Sequence, residues 1–370
     1  MKIESIEVIP LVVDLGTTFK GSFYSMSERA TLVTRIYTDD GIIGEIYNGD
    51  EINDQIQIRE IILNEIFPII KGTDPLHIEK RWDEMQILTK DILRDRSLVI
   101  KAISSVDSAL WDIVGKTAGL SLSKLWGSYH EKLPIIAIGG YYGRTNKELA
   151  EEVLEYKELG LAGCKMKVGG STPEEDSKRF IEMRKAGGDD FILIADANQG
   201  YTTDDAIKFC KLVENYNLDW FEEPVGWIND RYDLKTVRFK SGLPVAAGQS
   251  ETSRRGILDL ITSDSIDICN FDASWGGGPS EWIRVANMCE VYGIKMAHHE
   301  EPQISSQMLS SFKKSKYVEC FHPQRDPLFW NIIEKTIAPN IPKLNAITGL
   351  TFKKAKIITS AGIKKSRGEM

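Results

Sequence analysis

Eight short apolar runs, most of them separated by helix-length segments, constrain the fold of this chain more than any other feature. The runs lie at Pro134–Ile138, Gly163–Val168, Phe191–Ala195, Leu218–Phe221, Pro244–Ala247, Ile266–Asn270, Gly293–Ala297 and Lys316–Val318. Short apolar runs that are bounded by Gly, Pro, Asn or Asp and alternate with amphipathic segments predict βα units and a parallel sheet. Eight such units predict an α/β fold of the closed (β/α)₈ barrel type.

The chain is longer than one barrel. It has 370 residues, whereas a barrel of this type needs about 250. Most of the surplus precedes the first run, where strands are predicted at Met1–Val13, Ala30–Thr38 and Gly44–Tyr47, and mostly helix at 53–117. We therefore expect an α+β capping domain at 1–130 and a barrel at 131–337. A segment at 338–370, with a strand pattern at Thr351–Ile358, is expected to return to the cap.

Composition argues against several classes of partner. The net charge is −8 and the basic residues are scattered, so neither nucleic acid nor an anionic membrane is an expected partner. No segment is long and apolar enough to span a bilayer, and the opening Val8–Val13 run is too short for a signal core. The five cysteines are odd in number and widely spaced, which is typical of reduced core thiols. We expect a cytoplasmic protein.

Polar residues recur at the ends of the apolar runs. They are Lys165, Lys167, Asp196, Asn198, Glu222, Gln249, Glu251, Asp272, His299 and Glu319. In a (β/α)₈ barrel the C-terminal strand ends and the loops after them form one open face, where chemistry takes place. Any one of these residues alone has a plain structural explanation, such as a helix cap or a solvated charge. The whole set, in order on consecutive strands, predicts one site.

Three of these positions suggest a metal site. Asp196, Glu222 and an oxygen donor from the next strand, either Gln249 or Glu251, would converge on one side of the barrel mouth. Oxygen ligands suit Mg²⁺, which keeps its other positions for water and substrate oxygens. Zinc is disfavoured because there is no Cys/His cluster. We expect one Mg²⁺ per subunit.

The remaining groups suggest proton transfer. Lys165 and Lys167 share one side of a strand, and a lysine near a metal ion and a second ammonium can have its pKa lowered towards neutrality. On the other side, Asp272 would orient His299 and support its protonated form. Two bases facing each other suit removal of a proton from the carbon next to a carboxylate. Mg²⁺ and Lys165 would stabilise the enediolate that forms.

The motifs resemble those of the mandelate racemase subgroup of the enolase superfamily, and the likeness covers nearly the whole chain. They are Lys165-Met-Lys167, Asp196-Ala-Asn198, Glu222-Glu-Pro224, Asp272, His299 and Glu319, with the helical segment Ala102–Asp112. The resemblance implies that Lys167 is a base and that His299, paired with Asp272, is the opposing acid or base. It implies that Lys165 and Asn198 contact the substrate carboxylate and that Glu319 hydrogen-bonds an enediolate oxygen. The family usually has a glutamate as third metal ligand, whereas this chain offers Gln249 or Glu251.

The resemblance also implies a cap with a mobile specificity loop, here within Thr17–Met26. Lys20 and Tyr24 in that loop, and Tyr141 at the end of the first barrel strand, offer basic and hydroxyl groups that suit a polyol. His298, beside His299, either points away or contacts the substrate. Family likeness further suggests a homo-oligomer.

The expected reaction is dehydration of a sugar acid to a 2-keto-3-deoxy acid, with His299 as the acid that protonates the departing hydroxyl. The alternative is a racemase or epimerase of a 2-hydroxy acid, which would use the same two opposed bases. A second alternative is a barrel that binds without catalysis, for which the glutamine at position 249 is the support.

Overall fold

The computed structural model describes residues 1–49, 53–322, 356–359 and 362–365, the last two ranges as backbone only. The strands are β1 Ile3–Lys20, β2 Ser25–Thr38, β3 Ile43–Asn48, β4 Ile135–Gly139, β5 Gly163–Lys167, β6 Ile192–Asp196, β7 Phe221–Glu222, β8 Val245–Ala247, β9 Ile268–Cys269, β10 Lys295–Met296, β11 Val318–Phe321, β12 Lys356–Thr359 and β13 Gly362–Lys365. The α-helices are α1 Gln55–Ile61, α2 Phe67–Ile70, α3 Ile78–Met85, α4 Arg96–Ala118, α5 Leu122–Leu125, α6 Asn146–Glu158, α7 Pro173–Gly187, α8 Thr203–Val213, α9 Asp230–Ser241, α10 Arg254–Thr262, α11 Gly278–Tyr292 and α12 Pro302–Ser311.

The predicted barrel is confirmed. Strands β4 to β11 form one parallel sheet of eight strands, in the order β10-β9-β8-β7-β6-β5-β4-β11, and each overlaps one of the predicted apolar runs. A parallel bridge between Met296 and Ser315, just before β11, closes the sheet. Helices α6 to α12 fill the connections, and three of them begin at a threonine cap. The side chains of Thr145, Thr172 and Thr202 each accept a hydrogen bond from a backbone N–H three residues on.

An antiparallel sheet of five strands, in the order β13-β12-β1-β2-β3, builds the cap with helices α1 to α5. Strand β1 is longer than predicted, because Phe19 and Lys20 resume its pairing with β2, opposite Met26 and Ser25, after an irregularity that follows Asp14. Most of the predicted loop at Thr17–Met26 is therefore strand, and only the turn 21–24 joins β1 to β2. Strand β12 pairs with β1 through Leu11 and Val12.

Helix α4 fastens the cap to the barrel. Asp95 caps its start by accepting from the backbone N–H of Ser97, and Gly119 ends it in the left-handed conformation at φ 66°. Midway along, the buried Asp107 carboxylate accepts hydrogen bonds from the backbone N–H and the hydroxyl of Ser280, at 2.9 and 2.8 Å, at the start of α11. These contacts fix the cap over one rim of the barrel.

The barrel interior is apolar at its lower end and polar at its mouth. The apolar layer consists of Ile136, Ile194, Trp220, Ala246, Ile268 and Ala297. All five cysteines are buried free thiols, as expected. Within the described residues no helix is long and apolar enough to cross a membrane. The predicted domain limits stay a prediction, because 323–355 lie outside the described residues.

Candidate active site

Seven of the predicted residues lie buried around the mouth at the C-terminal ends of the barrel strands. They are Lys165, Lys167, Asp196, Glu222, Asp272, His299 and Glu319, none more than 7 % exposed. In the ring of eight strands β5 and β9 are four positions apart in either direction. Lys167 at the end of β5 and Asp272 just after β9 therefore stand on opposite sides of the mouth.

The ammonium of Lys165 lies among three carboxylates. Its Nζ is 2.8 Å from Oε1 of Glu222, 2.7 Å from Oε1 of Glu319 and 3.8 Å from Oδ2 of Asp196. Burial opposes the charged ammonium, but these carboxylates outweigh burial and raise the pKa of Lys165. Lys165 is thus held as a fixed positive charge at the floor of the site.

Lys167 pairs with Asp196, with its Nζ 2.6 Å from Oδ2. Burial disfavours the ammonium of Lys167, but Asp196 outweighs burial and holds the pKa well above its ordinary value. The sequence predicts a lowered pKa for a lysine at this site. The direction is opposite here because the nearest charge to Nζ is a carboxylate and not another cation.

His299 and Asp272 form the expected pair. The Nδ1 of His299 lies 3.0 Å from Oδ2 of Asp272, and Oδ1 of Asp272 accepts from the backbone N–H and hydroxyl of Ser274 at 2.7 and 2.6 Å. Burial opposes the imidazolium, but Glu300 and Asp272 outweigh burial and raise the pKa of His299 to about 10. At neutral pH His299 is therefore a proton donor.

The two carboxylates predicted as metal ligands stand side by side, because Asp196 and Glu222 are register partners on β6 and β7. Gln249 follows β8, and its Oε1 accepts from Nδ2 of Asn270 at 3.0 Å. Its Nε2 donates to Glu223 at 3.2 Å. Gln249 therefore follows the strand next to this pair along the barrel rim.

Glu251, the other candidate ligand, is not brought to the site. Its carboxylate pairs with Arg231, and it lines a cavity of about 200 Å³ together with Trp227 and Leu234. The reason is local: Glu251 lies in the segment between β8 and α10, where its carboxylate accepts from the guanidinium of Arg231.

The donor set suits a hard divalent cation. Asp196, Glu222 and Gln249 offer carboxylate and amide oxygens, and the buried Oδ1 of Asn198 has no hydrogen-bond partner among the described residues. Three carboxylates against two ammonium groups leave the cluster around Lys165 and Lys167 negative. A divalent cation together with a substrate carboxylate would balance that charge. In the described part of the chain no group of three or more His, Cys, Asp or Glu side chains is arranged to hold a metal. The third candidate ligand here is the side-chain amide of Gln249, which is not one of these residue types.

Two further predicted residues border this cluster. Asn198 adopts a left-handed backbone at φ 43°, and its N–H donates to Oδ1 of Asp196 at 2.9 Å. His298 is buried away from the mouth, where Nε2 accepts from the N–H of Ala273 at 3.0 Å and Nδ1 donates to the carbonyl of His299 at 2.7 Å. Burial lowers the pKa of His298, so its imidazole is neutral. It supports the backbone at Ala273 and His299 and does not face the mouth.

The cap reaches the mouth through the hairpin tip. The ring of Tyr24 lies 5.8 Å from Nζ of Lys167, and the hydroxyl of Ser22 donates to the carbonyl of Asn198 at 3.4 Å. Lys20 and Tyr141 line a cavity of about 570 Å³ between the end of β1 and the loop after β4. The Lys20 side chain is exposed, whereas Tyr141 is buried against Phe19.

A polar hub that the sequence did not predict lies beneath Lys167. Asp176, at the start of α7, accepts from the hydroxyls of Tyr142 and Tyr201 and from the N–H of Gly169. Arg179 pairs with Asp176 at 2.7 Å and donates to the carbonyls of Lys167 at 3.0 Å and Gly140 at 2.7 Å. The hub ties three successive strand-end loops together, and no strand-end pattern marks it, because both charged members lie on a helix.

Three residues at the mouth were also missed. Glu223, in the left-handed region at φ 36°, is buried, and burial together with Asp196 raises its pKa to about 7. Trp275 lies over His299 with the ring centres 5.3 Å apart. Glu300 directly follows His299. The doubled acids Glu222-Glu223 and Glu300-Glu301 were the signal in the sequence.

Two family profiles together match most of the chain. The profile described as "Mandelate racemase / muconate lactonizing enzyme, N-terminal domain" matches residues 5–127. The profile described as "Enolase C-terminal domain-like" matches residues 148–346.

Characterised relatives fall in more than one reaction class. An arabinonate dehydratase of Saccharolobus solfataricus is 31 % identical over 274 residues, 72 % of this chain and 72 % of its own. A D-galactarolactone cycloisomerase of Agrobacterium fabrum is 31 % identical over 305 residues, 81 % of this chain and 78 % of its own. An N-succinyl-L-Arg/Lys racemase of Bacillus cereus is 28 % identical over 326 residues, 85 % and 82 % of the two chains.

Solved structures share the fold over most of their length. A mandelate racemase/muconate lactonizing enzyme is 46 % identical with a TM-score of 0.88, over 97 % of this chain and 94 % of that one. Another, from a marine actinobacterium in complex with magnesium, is 47 % identical with a TM-score of 0.84, over 89 % of each chain. An L-talarate/galactarate dehydratase from Salmonella typhimurium LT2, liganded with Mg and L-lyxarohydroxamate, is 26 % identical with a TM-score of 0.82, over 88 % and 84 %.

Proposed function

Because the chain belongs to the mandelate racemase/muconate lactonizing enzyme family of the enolase superfamily, we propose that it dehydrates a sugar acid with the help of Mg²⁺. The observation that carries the proposal is the placement of Lys167 and the His299–Asp272 pair on opposite sides of one mouth, with Lys165 between carboxylates on its floor. The dehydratases among the relatives support the choice of reaction.

Substrate binding, proton removal and charge stabilisation fall to different side chains of the site. Lys165 receives one oxygen of the substrate carboxylate, with Asn198 beside it, and so fixes the α-carbon over the floor. Lys167 takes the α-proton, and the negative charge that moves onto the carboxylate oxygens is stabilised by Lys165. Glu319, 2.7 Å from Lys165, borders the place of the same oxygens.

When bound, Mg²⁺ would be held by Asp196 and Glu222 with Gln249 beside them, would neutralise charge on the carboxylate oxygens, and would take up the Asp196 charge that now raises the pKa of Lys167. On the opposite side, the protonated His299 donates its Nε2 proton to the 3-hydroxyl, which leaves as water. The enol that remains becomes the 2-keto-3-deoxy acid. Asp272 keeps the imidazole in the orientation that this transfer requires.

Racemisation or epimerisation of a 2-hydroxy acid is the second candidate. Two acid–base groups on opposite faces of one carbon are what that reaction needs, and a racemase is among the relatives. It would require His299 to act as a base in one direction. The raised pKa of His299, about 10, favours the donor role and therefore dehydration. A barrel that only binds would have no use for the opposed Lys167 and His299.

A screen of a stereochemically complete sugar-acid library with Mg²⁺ tests the proposal. Formation of a 2-keto product by one library member supports dehydration. Exchange of the α-proton in D₂O, or inversion, without keto product supports the second candidate. If no library member gives a 2-keto product and none shows exchange or inversion at the α-carbon, the proposal is overturned. A homo-oligomer stays a prediction, which sedimentation velocity would check.

A further inference from the structure

The two residues after His299 adopt an unusual backbone. Glu300 and Glu301 have φ of 52° and 48°, in the left-handed region that favours glycine. Two consecutive glutamates in this region are strained, and such strain persists only where surrounding contacts fix it. A glycine pair would adopt the turn without strain, so the side chains themselves have a use.

Contacts on both sides hold the turn. The N–H of Glu300 donates to Oε2 of Glu319 at 3.0 Å. Glu301 turns the other way, towards the cap, where its Oε1 accepts from the N–H of Gly49 at 2.9 Å. Pro302 then begins α12. The two acidic side chains therefore diverge, one to the cap and the other into the barrel mouth.

Glu300 faces the nitrogen of His299 that Asp272 leaves open. Its Oε1 lies 3.5 Å from Nε2, while Nδ1 is 3.0 Å from Asp272. Each ring nitrogen of His299 therefore has a carboxylate beside it, and both His299 and Glu300 are 7 % exposed. The other titratable groups that act on His299 are Lys165, His298 and Glu223.

We propose that Glu300 is a positioning residue for His299: its carboxylate holds the Nε2–H side of the imidazolium and commits His299 to proton donation. The catalytic consequence rests on the proposed function, but the effect on the imidazole itself does not. With a carboxylate at each nitrogen, the imidazolium is the stable form of the ring, so little neutral imidazole is present to accept a proton. Glu300 therefore biases the site against the two-way proton transfer of a racemase.

Histidine NMR on the full chain with Mg²⁺ tests this without any substrate. The chain has five histidines, so the imidazole signals are few, and His299→Asn assigns the one that matters. Glu300→Gln removes the charge and keeps the shape, whereas Glu300→Gly also relieves the left-handed backbone and so guards against failure to fold. Glu301→Gln is the matched control, because it removes a neighbouring buried acid that contacts the cap.

Opposite charges at this separation move a pKa by ~1–3 pH units. We expect Glu300→Gln and Glu300→Gly each to lower the His299 midpoint by at least about one pH unit, and Glu301→Gln to leave it within a few tenths. An unchanged midpoint in both Glu300 variants would overturn the proposal. So would an equal fall in Glu301→Gln, because that would show a general effect of charge.

A second measurement ties the effect to turnover. With a substrate from the library, the alkaline limb of kcat should move to lower pH in Glu300→Gln, by the same amount as the NMR midpoint. A limb that stays in place while the midpoint falls would overturn the positioning role. Should the library give no product, the NMR result still decides the contact between Glu300 and His299, and only the proposed function fails.

Discussion

The ammonium of Lys167 lies 2.6 Å from Oδ2 of Asp196, so the proposed base and a proposed metal ligand share one contact. Both groups are buried, Asp196 completely. At this distance and burial their attraction is strong compared with that of a surface pair. Any cation that binds Asp196 therefore competes with Lys167, and the basicity of the lysine and the metal affinity of the site are coupled.

Lys167→Met tests this coupling. Removal of the competing ammonium should tighten Mg²⁺ binding by about tenfold, which corresponds to ~1.4 kcal/mol, while turnover is lost. Isothermal titration calorimetry measures the affinity. Lys157→Met, which removes an ammonium bonded to the carbonyl of Gly187 far from the mouth, is the control and should bind as the parent does. Weaker Mg²⁺ binding in Lys167→Met would contradict the account.

The third ligand position is open to a direct comparison. Gln249→Glu adds a carboxylate beside Asp196 and Glu222, and should raise Mg²⁺ affinity at least about tenfold. Glu251→Gln should leave the affinity unchanged, because Glu251 is paired with Arg231. The reverse ranking of the two variants would show that Glu251 is the ligand.

Arg179→Lys should slow turnover with little effect on metal binding. The planar guanidinium donates to the carbonyls of Lys167 and Gly140, which an ammonium cannot reproduce. A small displacement of a base typically costs ~10- to 100-fold in rate. Arg184→Lys is the matched control, since Arg184 binds carbonyls, including that of Phe191, at the opposite end of α7. Equal losses of kcat in both variants would argue against a positioning role.

Glu301→Gln should change how stability depends on pH. Burial raises the pKa of Glu301 to about 8, above an unfolded value of about 4.3. A raised pKa means that the folded state favours the protonated form of Glu301. The stabilisation of the folded state that results is complete below the pKa of the unfolded chain and is lost as the pH rises through about 8. The Tm of the variant minus that of the parent should therefore increase by ~2 °C or more between pH 5 and pH 9. A constant difference would contradict the raised pKa.

Much of the fold was predictable because the barrel imposes a pattern on the sequence. Strands buried on both faces appear as short apolar runs, and each of the eight was located. The extent of β1 was not, since Phe19 and Lys20 pair with β2 only beyond an irregularity after Asp14, which depends on contacts between strands. Register and bulges leave little trace in a single sequence.

The site was predictable to the extent that its residues end strands. Asp196, Glu222 and Lys167 met this condition, and the structure brings them together. The hub of Asp176 and Arg179 lies on a helix, and the role of Glu300 depends on a left-handed turn. Neither is encoded in spacing. The choice between Gln249 and Glu251 was likewise open until the turn after β8 placed Glu251 against Arg231.

The division of roles between Lys167 and His299 is tested most directly by partial reactions in D₂O. With a sugar acid from the library and Mg²⁺, proton NMR follows both exchange at the α-carbon and formation of keto acid. His299→Asn should still exchange the α-proton but form keto acid ~10²- to 10⁴-fold more slowly, whereas Lys167→Ala should do neither. Exchange that survives in Lys167→Ala and disappears in His299→Asn would contradict the account.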